Sequence, residues 1–407
     1  MTRAWRPGRW HVATGLLALG AYLVLDLRVF PLSTRFPDEQ RFIDEALGFA
    51  RTGQFWVWDD RAFEMPLIGL IYGFIYRIAG SEAGLIAGAR VLQAVLLVIQ
   101  AWLCADLARR LFSRDIAASL AFFAVLAYPM FVAFQALLLS EAVFIFLLVL
   151  AMWWLYRWAD TPTTGWLVAY AASMAAATYA KASLTWLPLL LPVLLLPPPL
   201  AWRPGLRVAA VTALVYCICL SPWWVRNAKL FGHPILFTTS ASSNLYLGNN
   251  PANLTAGNDW ERDAEQPFVS ANGRLPEVER DRHYRERALA YIHAEPAQFV
   301  RNAGRKFVRF WNIFPNHESF QGAYRWIVAL SYGPALALAL LAAWLYRERW
   351  RRFMPMYALF AYFTLVHSIT IASLRYRLPL EPFLVVFAAG AAACLWSRGR
   401  DKTARLR

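Results

Sequence analysis

"LLALGAYLVLDLRVFPLSTRFPDEQRFIDEAL", residues 16–47, passes from an almost unbroken apolar run to a short stretch that holds Asp38, Glu39, Asp44 and Glu45. An apolar run of this length belongs in hydrocarbon, because roughly 20 helical residues cross a bilayer core of about 30 Å. Basic residues precede it and no small-residue cleavage site follows, so the N-terminal segment reads as a retained signal anchor. The four acids therefore stand just outside a membrane.

The rest of the chain repeats the theme. Of 407 residues, 59% are hydrophobic and only 16% charged, with 19 Trp. That balance excludes an ordinary soluble domain. Because hydrocarbon leaves backbone groups no water to bond, the spans must be helical. The expected fold class is an all-α polytopic membrane protein, a single integral membrane domain over 1–400 with a basic tail at 401–407. The net charge of +15 does not imply nucleic acid, since the basic residues cluster in short stretches between apolar runs. Cys104, Cys217, Cys219 and Cys394 all lie in apolar runs, with no CxxC pair, and read as packing residues.

Runs suited to spanning fall at about 11–30, 84–108, 116–136, 140–157, 166–182, 184–200, 207–225, 324–346, 354–373 and 379–397. These make about ten spans. With a cytoplasmic N-terminus, every short basic loop falls inside, from Arg109, Arg110 and Arg114 to the tail after Arg398. The expected location is a bacterial inner membrane, with both termini cytoplasmic. Two large segments remain outside, residues 31–83 and 226–323. In the first, Pro37 and Asp38 look like a helix start, Phe42, Ile43, Ala46, Leu47 and Ala50 form an apolar stripe, and Gly53 suits the stop. That predicts a surface helix with Asp44 and Glu45 turned to water or headgroups. The apolar run 66–79 is too short to span comfortably and is expected to be interfacial or re-entrant. In the second, "RLPEVERDRHYRERALAYI" reads as a solvated amphipathic helix.

This topology gathers scattered polar residues on the outer side. Asp38, Glu39, Asp59, Asp60 and Glu64 come from the first outer segment, Glu141 from the turn before the fourth span, and Lys181 from the turn after the fifth. Arg226 and Asn227 open the long outer loop, Arg375 and Arg377 flank the last outer turn, and His367 lies somewhat deeper. Ionisable residues at membrane depth are costly and point to function by default. Each also has a plainer reading. Glu141 follows Ser140 at a helix start and could serve the helix dipole, Lys181 could snorkel, and the arginine pair could anchor lipid phosphates. His367 could pack, and Asp59 and Asp60 could shape a turn. Asp38 and Glu39 point about 100° apart on a helix. Either they cap the helix and feed its dipole, or one acts as a general base while the other holds a metal or a sugar hydroxyl. Two adjacent carboxylates can bind Mg2+ or Mn2+ or work without either.

No Walker loop, GxGxxG, GxSxG or HExxH is present, so nucleotide, Rossmann-cofactor, serine-hydrolase and zincin chemistry have no support. A carboxylate opposite arginines suits group transfer from a phosphate-bearing lipid. The cations hold the leaving phosphate and the acid deprotonates an acceptor hydroxyl.

"FPDEQRFIDEALGFARTGQF" (36–55), "LLLSEAVFIFLLVLAMWW" (137–154), "ATYAKASLTWLPLLLPVLLL" (177–196), "SPWWVRNAKLFGHPILFTTSASSNLYLGNNPANLTAG" (221–257) and "HSITIASLRYRLPLEPFLVVFAAG" (367–390) resemble, in order, segments of the dolichyl-phosphate-mannose protein mannosyltransferase-like family of GT-C glycosyltransferases. The resemblance implies a GT-C-type bundle. It implies transfer of a hexosyl or pentosyl group from a polyprenyl-phosphate monosaccharide to a glycan, lipid or protein at the outer face, with inversion. By the same resemblance Asp38 is the base and Glu39 its support, while Arg226, Arg375, Arg377 and Lys181 are candidates for the donor phosphate. One departure stands out: many relatives carry a His-Pro-Pro-like stretch where this chain has "AFEMPL" (62–67), which puts Glu64 in place of a His and a His-dependent metal site in doubt. The competing readings are a transporter or lipid flippase, for which the chain lacks paired helix interruptions, and a non-catalytic scaffold.

Overall fold

The computed structural model describes residues 5–57, 59–196, 202–315 and 322–405, and among these the regular structure is helical, with no β-structure beyond an isolated bridge between Val57 and Asp60. The "LLPPPLAWRPG" turn, the start of the chain and the tail at 401–407 fall partly outside these residues. The membrane half begins with α1 (Arg9–Val24), which ends in a short π-helical turn. Next come α2 (Pro37–Thr52), α3 (Leu67–Ala79), α4 (Glu82–Phe112), α5 (Asp115–Leu126), α6 (Pro129–Gln135), α7 (Glu141–Asp160), α8 (Thr164–Ala180), the fragment α9 (Leu187–Leu190) and α10 (Trp202–Phe231). An outer group of helices follows, with α11 (Ala241–Gly248), α12 (Trp260–Asp263), α13 (Gln266–Asn272), α14 (Glu277–Ala294) and α15 (Pro296–Trp311). The chain closes with α16 (Ala323–Leu345), α17 (Trp350–Ile369), α18 (Leu374–Arg377) and α19 (Glu381–Arg405).

Six of these stretches are long and apolar enough to cross a bilayer: Arg9–Val29, Glu82–Phe112, Glu141–Asp160, Pro204–Phe231, Ala323–Leu345 and Leu374–Arg398. The chain is an all-α polytopic membrane protein. α5 and α6 make a seventh crossing if counted together, bent by 48° at Ala127 and Tyr128, just ahead of Pro129. The other three expected spans are less regular than the hydropathy suggested. α8 has 17 residues, and the polar ends of α17 dilute its apolar run. The run expected at 184–200 is broken up by Pro188 and Pro192. Its carbonyls are caught on the way by Tyr216, bonded to Thr185, and by Tyr170, bonded to Pro188, so the broken piece lies along α8 and α10. Such side-chain donors are what allow irregular backbone at membrane depth.

α2 forms as its sequence demands. Pro37 occupies the first helical position and Gly53 ends the helix in the left-handed region, at φ 73°. The cap is supplied by Glu39, not Asp38: its Oε2 accepts the backbone N–H groups of Arg35 (2.6 Å) and Phe36 (2.7 Å). Asp44 stays half-exposed, but Glu45 is buried, which corrects its expected place at the water face. α3 lies along α2, and Gly69 leaves the room that the Glu45 side chain fills; a Cβ there would sit 2.6 Å from Glu45. α3, with 13 residues, is too short to span, as expected of 66–79. The long outer segment opens at Gly232 rather than at 226, because α10 runs through Arg226 and Asn227 to Phe231.

Candidate active site

Five parts of the chain meet at one end of the helical bundle and interlock by charge. Arg375, on α18, donates to Asp38 Oδ2 at the start of α2 and, through Nε, to Glu141 Oε1 at the start of α7. Its second fork contact, Nη2 to Glu141 Oε2, is 3.2 Å. Lys181, just past α8, places Nζ 2.7 Å from Glu141 Oε1 and 5.1 Å from the centre of the Tyr376 ring. On the other side of Asp38, Arg41 lies 3.9 Å away and reaches Glu64 at 3.0 Å. The result is a chain of alternating charge: Glu64, Arg41, Asp38, Arg375, Glu141, Lys181.

Exposure separates the three acids. Glu141 is fully enclosed and the Glu64 side chain is 22% exposed, whereas that of Asp38 is 38% exposed. Asp38 is thus the carboxylate a dissolved or lipid-borne group can reach, and the poorly exposed Arg375 behind it fixes its orientation. Glu39 is fully buried, and besides capping α2 it accepts the Leu138 N–H at 2.8 Å, so its two oxygens take three backbone donors. This carboxylate staples the start of α2 to the turn before α7.

The adjacent acids therefore serve different partners and do not converge as a chelate. Among the described residues no three His, Cys, Asp or Glu side chains gather where a metal ion could sit. The Asp38 and Glu39 pair does not fit a bound cation, because Arg375 holds one carboxylate and backbone N–H groups saturate the other.

Other candidates lie apart from this cluster. Arg226 donates to the carbonyls of Arg61 (2.7 Å) and Phe55 (3.2 Å) and packs on Trp223, bracing the 53–66 loop. Asn227 accepts from Arg226 and donates to the Ile235 carbonyl at 2.9 Å. Arg377 is buried against Glu381 (2.9 Å), the carbonyls of Phe310 and Asn312, and the Tyr332 ring at 3.4 Å. His367 stacks between Phe310 (5.7 Å) and Tyr376 (4.6 Å) with Nδ1 3.0 Å from the Ile371 carbonyl oxygen, so it touches the cluster only through Tyr376. Asp60 pairs with Arg280 and Asp59 is exposed.

Three positioning residues escaped the sequence reading. Arg41 follows Asp38 by three positions, a helical spacing that could have revealed it. Arg90, within the span α4, is fully buried and donates to the carbonyls of Asp26, Pro31, Ser33 and Ala136, so it pins the extended run that delivers Asp38. Glu277, at the start of α14, accepts the backbone N–H groups of Arg61 (2.7 Å) and Ala62 (2.8 Å), and so ties the Glu64 loop to the outer helices. Nothing local marks either Arg90 or Glu277, because their partners are backbone groups far away in sequence.

Residues 62–225 match the family described as Dolichyl-phosphate-mannose-protein mannosyltransferase. The chain is similar to that family of membrane glycosyltransferases. Solved structures similar to the chain include ArnT from Cupriavidus metallidurans bound to undecaprenyl phosphate, at 17% identity, covering 95% of this chain and 77% of that one with a TM-score of 0.45. The apo state of the same enzyme is similar at 16% identity, covering 93% and 76%, with a TM-score of 0.41. No curated protein matches the chain. The family match holds Glu64, Glu141 and Lys181 but begins after Asp38 and ends before Arg375.

Proposed function

We propose that the chain is an inverting membrane glycosyltransferase that moves a sugar from a polyprenyl-phosphate monosaccharide to an acceptor hydroxyl at the outer face of a bacterial inner membrane. What carries the reading is Asp38, a partly exposed carboxylate held by Arg375 at the outer mouth of a helical bundle, with Arg41 and Lys181 close by. The Asp38 carboxylate takes the proton of the acceptor hydroxyl as that oxygen bonds to the anomeric carbon. The bond from that carbon to the phosphate oxygen breaks with inversion, and polyprenyl phosphate leaves. Arg375, Lys181 and Arg41 supply the positive potential that stabilises the leaving phosphate. Arg226 and Arg377, bonded to carbonyls and to Glu381, act instead as braces of the surrounding loops. The acceptor is a glycan, a lipid or a protein, and the termini face the cytoplasm.

The test is transfer of label from a radiolabelled polyprenyl-phosphate sugar in membranes carrying either the unaltered chain or Asp38→Asn. Loss of roughly 100- to 10,000-fold in rate, with normal membrane insertion, is expected for removal of a general base. An Asp38→Asn variant that transfers sugar at the parent rate overturns the assignment.

A further inference from the structure

α15 is amphipathic in the reverse sense for a helix on the outside of a protein. Polar Asn302 and Lys306 point inward, together with Phe310. Asn302 donates to the Asn253 carbonyl at 3.1 Å, and Lys306 is fully buried against Asn249 (3.3 Å) and the Ile369 carbonyl (3.2 Å). Its apolar face points out: Val300 is 67% exposed, Phe307 50% and Val308 65%, with Gly304 between them on the same side. The spacing of three, four and seven residues makes one stripe. Such a stripe in water would cost the burial that an apolar helix face normally gains.

Two observations say what covers it. First, α15 descends along α17. Lys306 meets Ile369, Phe310 stacks on His367, and Trp311 Nε1 lies 3.1 Å from Thr364 Oγ1. Five residues of α17 correspond to about 7.5 Å of rise, so the last turn of α15 sits below the outer end of a helix read as a span. Second, Arg301 and Arg305 are exposed along one edge of the stripe, with Arg301 Nη1 donating to Gln298 Oε1 (3.1 Å) and Arg305 Nη1 to the Leu254 carbonyl (2.7 Å). Cations beside a shallowly inserted apolar face match the phosphates and acyl chains of a leaflet.

We infer that the last turns of α15 are seated in the outer-side leaflet of the bilayer, with Phe307 and Val308 among acyl chains and, further out along the helix, Val300, Arg301 and Arg305 at the level of the anionic lipid phosphates. The outer helices are then held to the membrane at two places, through the spans and through this helix. On its inner side Phe310 stacks on His367, which stacks on Tyr376, the sequence neighbour of Arg375. This inference is independent of the proposed sugar transfer.

The full chain is reconstituted in phosphatidylcholine vesicles carrying a diazirine-bearing phosphatidylglycerol, illuminated, digested and mapped by mass spectrometry. Adducts on residues 297–308 are expected, with none on the solvated α14. Adducts confined to the spans overturn the proposal, as does loss of the α15 adducts when excess polyprenyl phosphate is added, which would mark the stripe as a site for that tail. Crosslinks between two copies through α15, in place of lipid adducts, overturn it too. In a second arm, Arg301→Gln with Arg305→Gln is expected to weaken capture of the anionic probe by about fivefold per arginine. Capture of a zwitterionic diazirine phosphatidylcholine should be unchanged, and an equal loss for both probes overturns the charge part of the proposal.

Discussion

Two ion clusters, one at each end of the bundle, look alike in composition and differ in closure. At the end opposite the candidate site, Asp106 accepts from Arg110 Nε (2.6 Å), Trp153 Nε1 (2.7 Å) and the Trp5 N–H (2.8 Å), while Asp160 accepts from Arg110 (2.7 Å) and Arg352 (2.6 Å). Both carboxylates are nearly enclosed and surrounded by donors. That is a clasp between α4, α7 and α17. In the outer cluster the acids and cations alternate in the same way, but the chain is open at Asp38, the one carboxylate with more than a third of its side chain exposed. A closed cluster holds helices together. An open one keeps a charged group oriented while leaving it free to react.

Substitutions at matching places should separate these roles. Asp38→Asn, with its expected rate loss of about 1000-fold, should leave thermal unfolding of the purified protein almost unmoved, because a pair open to solvent at Asp38 contributes only about 0–1 kcal/mol and Arg375 keeps Glu141 as its partner. A large fall in stability would make the outer cluster another clasp. Glu141→Gln strips the shared partner from Lys181 and Arg375, both poorly exposed. Breaking a buried pair costs about 3–5 kcal/mol, so this variant should lose stability and transfer together. Asp160→Asn should cost about 3 kcal/mol by the same rule but leave transfer per folded molecule at the parent level, measured by scaling activity to the folded fraction. If transfer falls with Asp160→Asn, the two ends are coupled and the division between clasp and site fails.

The parts of this arrangement that sequence could reveal are those written in local pattern. Pro37, the stripe after it and Gly53 announce α2, and apolar length announces α1, α4, α7, α10, α16 and the final span. The gathering of Glu141, Lys181 and Arg375 on one side followed from counting spans, since each stands at the end of one. Hydropathy could not see that 184–196 breaks into short turns, because Leu and Pro score by residue and not by hydrogen bond. Nor could it tell Arg375 from Arg377. They lie two residues apart in a short helix, which turns them some 200° from each other, and only packing decides that one meets Glu141 and the other Glu381. Glu45 failed for the complementary reason. Its place opposite Gly69 depends on α3 lying along α2, a contact between segments that no local spacing specifies.

Glu45 and Lys306 extend the comparison to groups buried without a matching counter-charge, and they bend the pH dependence of stability in opposite senses. Burial, then the nearby Glu64, hold the Glu45 carboxyl well above its ordinary value. Between that ordinary value and the raised one the folded chain keeps a proton the unfolded chain has released, so stability falls as pH rises through this window. Burial pushes the Lys306 ammonium down to about 7 from an ordinary 10.5. Between those values it is the unfolded chain that holds the extra proton, so stability rises with pH from about 7 upward. Thermal unfolding of the detergent-solubilised protein across pH should show both slopes. Glu45→Gln should remove the acid-side decline alone and Lys306→Met the alkaline-side rise alone. A Lys306→Met profile that still climbs above pH 7 as the parent's does would mean this lysine is charged in the fold, its ammonium satisfied by Asn249 and the Ile369 carbonyl.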